Sequence, residues 1–381
     1  MKRRFVATVT AIVAVALLSK ADNSECRGQD RSVSSRFQAE RSAHLVLSAA
    51  AFDVDRRFIL DTGASVTAFD DQFRSQLKKH GSTDSLTAGG NVRFQAYRQP
   101  QLTISSMLLS TSGQAVVFDM SDANEALGQR IDGIIGLNAL SGHVLRIAVD
   151  EAQFEILNSV PPTLGKEIPI LLNKRGGLEL EMRYCGSATK ERFLIDTGSL
   201  TELTVRADAF DLLQSKGEIK RLREVVVVTA NGPVRKKEGV LSVTNLDGWA
   251  HNDIIVSRGT TFNIVGLNYL NRYSVTFDFP GRRLFLKPGK YFAEKSRRTC
   301  LGVGIYWRDE QVRLKYVLPD SPAAEAGLKA DDIIESVNGK PVDGSSLFKL
   351  RRLFENDGET VSLSLRRGDH LETVKIKLVD F

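Results

Sequence analysis

The chain has 381 residues, of which 42% are hydrophobic and 26% charged, with a formal net charge of +6. That length accommodates two or three domains of ordinary globular composition and excludes a low-complexity protein. Three cysteines are too few for a disulfide scaffold, and no basic stripe with interleaved aromatics argues for nucleic acid as a partner.

Met1-Lys2-Arg3-Arg4 and the apolar run from Phe5 to Leu18 read as the basic and hydrophobic regions of a secretory signal. Ser19-Lys20-Ala21 places small residues at −3 and −1 of a cleavage after Ala21. The run is short for a membrane span, which favours removal over anchoring. Cys26 lacks the surroundings of a lipid-attachment site. Lys2, Arg3, Arg4 and Lys20 carry +4 and residues 1–21 contain no acid, so the mature chain carries 6 − 4 = +2. Residues 22–43 are polar and read as a loose leader.

Strand patterns then dominate. They are expected at His44–Leu47, Phe58–Leu60, Leu102–Ile104, Ala115–Phe118, Leu178–Tyr184 and Val225–Thr229, with helical pieces at Asp70–Lys79 and Ala207–Lys216. Phe58-Ile59-Leu60 runs into Asp61-Thr62-Gly63, and Phe193-Leu194-Ile195 runs into Asp196-Thr197-Gly198. A given Asp-Thr-Gly triplet is expected on the order of a tenth of a time in a chain this long. Two copies behind matching apolar runs therefore mark a repeat rather than two unrelated turns.

Other landmarks recur in the same order. Thr87-Ala88-Gly89-Gly90 matches Thr229-Ala230-Asn231-Gly232, each reading as the tip of a β-hairpin. Ile134-Ile135-Gly136-Leu137-Asn138-Ala139-Leu140 matches Ile264-Val265-Gly266-Leu267-Asn268-Tyr269-Leu270, at an offset of 266 − 136 = 130. The offset persists from Val144–Ile147 to Ser274–Phe277, and from Phe154–Leu157 to Leu284–Lys287. The Asp residues are offset by 196 − 61 = 135, so a small length change separates the landmarks. A long-period repeat of this kind is a duplicated unit, here two β lobes, each with one carboxylate on a tight glycine turn. Ser159-Val160-Pro161-Pro162 links them, and a basic linker from about Lys287 to Arg298 follows.

The order apolar-apolar-Asp-Thr-Gly, glycine hairpin, apolar-apolar-Gly resembles the pepsin and retropepsin superfamily of aspartic peptidases over roughly residues 44–290. Ala88-Gly89-Gly90-Asn91-Val92-Arg93-Phe94 looks like a retropepsin-type flap. The resemblance implies a mainly β, two-lobed retropepsin-like or pepsin-like acid protease β-barrel fold, with lobes at 44–158 and 163–290. It makes Asp61 and Asp196 the catalytic pair, two close carboxylates sharing one proton. Thr62 and Thr197 would lock the two loops by hydroxyl-to-backbone hydrogen bonds, and Gly63 and Gly198 would permit close approach. Ser199 would donate to its carboxylate, whereas Ala64 removes that donor from the first lobe. Gly89, Gly90, Asn231 and Gly232 become flap candidates. Both half-sites lie in one chain, so a monomer suffices.

From Leu301-Gly302-Val303-Gly304 through Ser321-Pro322-Ala323-Ala324 to Val337-Asn338-Gly339-Lys340-Pro341, residues 299–381 resemble an α+β PDZ domain of the bacterial exported type. The resemblance implies that Leu301, Gly302, Val303 and Gly304 form the loop that holds a peptide C-terminus. The loop departs from the usual Gly-Leu-Gly-Phe.

The resulting expectation is an exported, periplasmic or secreted endopeptidase acting on a peptide or protein substrate. Its PDZ domain binds peptide C-termini, and it has no nucleic-acid partner and no membrane span after signal cleavage. Two other readings compete: a PDZ-mediated peptide-binding protein with a vestigial protease fold, and a purely structural lobe pair. Intact Asp-Thr-Gly segments in both halves favour the enzyme. Cys26, Cys185 and Cys300 show no metal spacing, no HExxH or GxSxG motif occurs, and His44, His80, His143, His251 and His370 are scattered. No metal or cofactor is called for.

Overall fold

The computed structural model describes residues 8–10, 14–15, 33–36 and 43–381, other than 88, 89, 106, 110–112, 158, 162–164, 186, 188, 230 and 231. The expected cleavage site, most of the leader and Cys26 lie outside the described residues, as do the hairpin-tip candidates Gly89 and Asn231.

The molecule is mainly β, and the duplication is visible strand by strand. In the first half, seven strands lie side by side in the order 46–51, 54–60, 133–135, 67–70, 114–118, 90–98 and 79–87. In the second half the order is 178–184, 191–196, 264–266, 203–205, 249–258, 232–246 and 219–229. Each position in one series has its counterpart in the other. The apolar-apolar-Gly strand is central in both. It runs parallel to the strand leading to the Asp (Ile135 beside Leu60, Val265 beside Ile195) and antiparallel to the strand leaving it. Alternate residues are buried along Leu178–Tyr184, as a one-sided strand requires.

A third sheet joins the halves, in the order 166–169, 283–288, 273–278, 144–148, 153–157 and 33–36. At its centre 144–148 and 273–278 pair antiparallel, with Arg146 opposite Thr276. Those two positions are separated by 276 − 146 = 130, the repeat offset itself. The pseudo-twofold axis therefore passes through this pair, and the repeat read from sequence is a spatial symmetry.

The apolar strands converge on one core spanning both halves, including Phe58, Phe69, Phe73, Phe193, Phe210 and Phe277, all 2% exposed or less. Each such side chain contributes about 1.5–3 kcal/mol by leaving water.

The helix expected at Ala207–Lys216 is present as Ala207–Ser215. Its first-half counterpart is not: Asp71–Phe73 forms a single 3₁₀ turn, capped by Asp70 accepting from the Gln72 N–H. The residues after it are claimed instead by the hairpin, since Lys79–Thr87 pairs with Gly90–Arg98. Strand pairing overrides local helix propensity there. A helix the pattern did not reveal lies at Ser121–Leu127.

Residues 303–308, 311–317, 333–337, 360–367 and 370–377 form a separate sheet with its own core, covered by the helix Leu347–Leu353. The basic linker before it is not loose. Buried Arg272 donates to the Glu294 carbonyl (2.7 Å) and Ser296 Oγ (3.0 Å), and pairs with buried Glu202 (2.9 Å). The linker is thereby pinned to the second lobe before the C-terminal domain begins.

Candidate active site

Each Asp stands where its strand leaves the sheet. The Asp61 N–H donates to the Ile135 carbonyl (3.0 Å), and the turn closes when the Leu137 N–H reaches the Ala64 carbonyl (2.8 Å). The second half repeats this closure from the Leu267 N–H to the Ser199 carbonyl (2.7 Å). The apolar-apolar-Gly strands thus hold the two turns in place.

The turns are cross-braced through their threonines. The Thr62 hydroxyl donates to the Ile195 carbonyl (2.8 Å) and accepts from the Thr197 N–H (3.1 Å). Reciprocally, the Thr197 hydroxyl donates to the Leu60 carbonyl (2.9 Å) and accepts from the Thr62 N–H (3.0 Å). Both threonines are fully buried. The four bonds make the two halves one rigid unit at this point.

Each carboxyl group lies over the other half's glycine. A Cβ at Gly63 would stand 2.5 Å from the Asp196 carboxyl carbon, and one at Gly198 would stand 2.3 Å from that of Asp61. Only glycine permits that approach. Asp61 and Asp196 are both fully buried. Asp61 Oδ1 accepts from the N–H groups of Gly63 (2.8 Å) and Ala64 (3.1 Å). Asp61 Oδ2 and both Asp196 oxygens are buried without a hydrogen bond of good geometry, although the Ser199 and Gly198 N–H groups lie near enough to favour the charged form of Asp196.

Burial pushes the Asp61 carboxyl up to about 7, against which its backbone donors pull. Asp196 is raised well above the carboxylate range, first by burial and then by the adjoining Asp61 charge. Two carboxyls this close do not both ionise, so the pair shares a proton.

The Ser199 hydroxyl, expected at its carboxylate, meets Thr201 Oγ1 instead (2.8 Å). With Ala64 opposite, neither Asp receives a hydroxyl from the residue after its glycine. This leaves burial unopposed by those donors and suits a proton held to higher pH.

The expected hairpins form in both halves: Thr87 pairs with Gly90, and Thr229 with Gly232. On the second hairpin Lys236 is half-buried. Burial lowers its pKa, while the Asp196 charge raises it. Leu301, Gly302, Val303 and Gly304 lie together at the start of the C-terminal domain's edge strand. Leu301 and Val303 are buried, and Gly302 has a φ of 82°.

Sequence reading missed Leu200, Thr201, Asn268 and Tyr316. They line the space between the second turn and the C-terminal domain. Only the match of Asn268 to Asn138 signalled any of them. Cys185 and Cys300 are buried and free. Among the described residues no cluster of His, Cys, Asp and Glu could hold a metal.

Comparison with known proteins divides the chain in the same way. Residues 47–139 match the family model described as aspartyl protease, and residues 313–367 match that of the PDZ domain. A probable CtpA-like serine protease of Staphylococcus haemolyticus is 33% identical over 91 residues, covering 23% of this chain and 18% of that protein. Serine protease HTRA1 of Xenopus tropicalis is 47% identical over 53 residues, 14% and 11% of the two chains. The periplasmic serine endoprotease DegP of Salmonella typhimurium is 39% identical over 62 residues, 16% and 13%. The chain thus spans less than a fifth of the length of each of these relatives.

Proposed function

We propose that this chain, an aspartyl protease domain followed by a PDZ domain, is an exported endopeptidase that hydrolyses peptide bonds with Asp61 and Asp196 as a proton-sharing pair. The observation that carries the reading is the pair itself: two buried carboxyls from symmetry-related turns, each lying over the other half's glycine.

The chemistry follows from the shared proton. The ionised carboxylate takes a proton from a water, whose oxygen bonds to the scissile carbonyl carbon. The protonated carboxyl donates to the carbonyl oxygen. Collapse of the tetrahedral intermediate breaks the C–N bond: the leaving nitrogen takes a proton from one carboxyl while a hydroxyl of the intermediate gives its proton to the other, so the pair again holds one proton. No covalent acyl-enzyme forms. The Thr62–Thr197 brace fixes the carboxyl separation, which is where such a mechanism is most sensitive to displacement.

The hairpins 79–98 and 219–246 are proposed as flaps that close over an extended peptide and exclude water. The peptidase lobes are taken as 44–158 and 163–290, and the PDZ domain as 299–381, with Leu301–Gly304 holding a peptide carboxylate. One chain supplies both carboxyls, so a monomer completes the site. Export is supported by the basic and apolar N-terminal segments and by the periplasmic relative. Among the described residues no helix is long and apolar enough to cross a membrane.

The relatives are named serine proteases, but the matched stretches of 53 to 91 residues are the size of the PDZ domain rather than of the two Asp-bearing lobes. Inhibitor class separates the mechanisms. A peptide carrying a hydroxyl isostere of the tetrahedral intermediate is expected to abolish cleavage, and a serine-directed fluorophosphonate to leave it intact. The reverse pattern would overturn the assignment.

A further inference from the structure

The peptide-receiving edge of the PDZ domain is covered by the chain itself. Strand 303–308 ends its sheet, pairing with 311–317 on one side. Its other side, together with the helix Leu347–Leu353, is the groove in which a PDZ domain adds a peptide as an extra strand. Helix Ser121–Leu127 of the first lobe lies against that edge.

The contacts are specific. Arg351, on the groove helix, donates to the Ala126 carbonyl and also to the Ile305 carbonyl (3.0 Å) on the edge strand. Glu125 forms a two-pronged ion pair with Arg308, one contact being 2.6 Å, and lies 3.7 Å from Lys315 Nζ. The Lys315 side chain is 8% exposed and that of Glu125 19%, while Arg308 stays partly in water at 38%. Gly128 ends the helix with a φ of 65°, and a Cβ there would stand 2.2 Å from the Gly344 carbonyl oxygen of the PDZ domain.

We propose that helix Ser121–Leu127 and its Gly128 cap occupy the PDZ groove, so that docking of the PDZ domain on the first lobe and capture of a peptide C-terminus exclude each other. The docked domain also reaches the catalytic turns. Tyr316 packs against the cluster containing Ala64, Val66 and Ala126. A cavity of about 190 Å³ at the groove floor is walled by Val303, Ile305 and Phe354 on one side and by Leu200 and Asn268 of the second lobe on the other. A captured peptide thus frees a domain that otherwise leans on both catalytic turns, and the C-terminus becomes the signal that opens the cleft. The proposal rests on the PDZ assignment and not on the chemistry of the Asp pair.

The test is fluorescence anisotropy with fluorescein-labelled hexapeptides ending in Val, Leu, Phe or Ala, each as free acid and as amide. The full chain carries Asp196→Asn, so that the probes survive. Two variants loosen docking by different means: Glu125→Lys sets a third cation beside Arg308 and Lys315, and Gly128→Ala drives a methyl group into Gly344. Both are expected to bind the best free-acid probe roughly tenfold tighter than the parent, because the docked population no longer competes. Amides are expected to bind to none. The same probe should raise hydrogen exchange of amides 121–127 in the parent. Equal affinity in parent and variants, equal binding of acid and amide, or no binding by any of the three proteins overturns the proposal. Far-UV circular dichroism identifies a variant that has failed to fold, and the other variant then decides the question.

Discussion

Replacing Thr62 with Val tests whether the two lobes are held at the site by the threonine brace. Val keeps the branched shape and removes the hydroxyl. The Ile195 carbonyl then loses its 2.8 Å donor, and the Thr197 N–H loses its 3.1 Å acceptor. Both groups lie in a region closed to water, since Thr62, Thr197 and Ile195 are fully buried. A buried polar group deprived of its partner costs about 1–3 kcal/mol, so two such groups cost about 3 kcal/mol together. For a domain of this size that corresponds to a fall in Tm of roughly 6–12 °C. Activity falls further than stability implies, because the brace sets the carboxyl separation, and a misplacement of about 1 Å costs on the order of a hundredfold in rate. Thr62→Ser keeps both bonds and should lose only a methyl's worth of packing. The assay is urea unfolding followed by tryptophan fluorescence, beside kcat/KM for a cleaved peptide. A Thr62→Val protein within about 0.5 kcal/mol of wild type, or no worse than Thr62→Ser, would refute the reasoning.

The other expectations follow from charge and close approach. Asp61 in the folded protein is raised from its ordinary 3.8 to about 7, so the unfolded chain releases this proton first, and folding is penalised increasingly from about pH 4 to pH 7. Asp61→Asn should therefore stabilise the protein at pH 7 by on the order of 3 kcal/mol and hardly at all at pH 3, as denaturant melts at the two pH values would show. His251 has the opposite sign: burial lowers it to about 4, so the unfolded chain binds its proton first as pH falls below 6.5. That group should remove about 3 kcal/mol of stability between pH 6.5 and 4, and His251→Gln should flatten this part of the stability profile. Gly198→Ala keeps both carboxyls but sets a methyl 2.3 Å from the Asp61 carboxyl carbon. It should lower kcat/KM by at least about a hundredfold, and a rate near wild type would mean that the turns are looser than described.

The Asp-bearing turns, the hairpins and the duplication are legible in the sequence because each is a local pattern repeated in register. Leu178–Tyr184 is read to its last residue, since alternation along one strand fixes both its span and its buried face. The pairing of Arg146 with Thr276 follows from the repeat once the halves face each other. What was not legible depends on distant partners. Asp70–Lys79 carries helical character, yet it yields a single turn because residues 79–87 are drawn into the hairpin. Ser121–Leu127 is seven residues long and has no side-chain cap, too short for a period to stand out. The Ser199 hydroxyl turns to Thr201, a choice set by the local turn and not by the Asp-Thr-Gly-Ser string. Contacts of Tyr316, Arg308 and Arg351 with the first lobe depend on how two domains meet, which no single-segment pattern encodes.

The central claim is that one carboxyl from each half acts in a single proton-sharing pair. Its most direct test is cleavage of a mixed library of peptides with free C-termini, between pH 3 and 8, by the wild-type chain, Asp61→Asn and Asp196→Asn. The account predicts cleavage by wild type that rises toward neutral pH as Asp61 gives up the pair's first proton, persists while Asp196 keeps the second, and is abolished in both variants. Cleavage that survives in either Asn variant, or none by the wild-type chain at any pH, would contradict it.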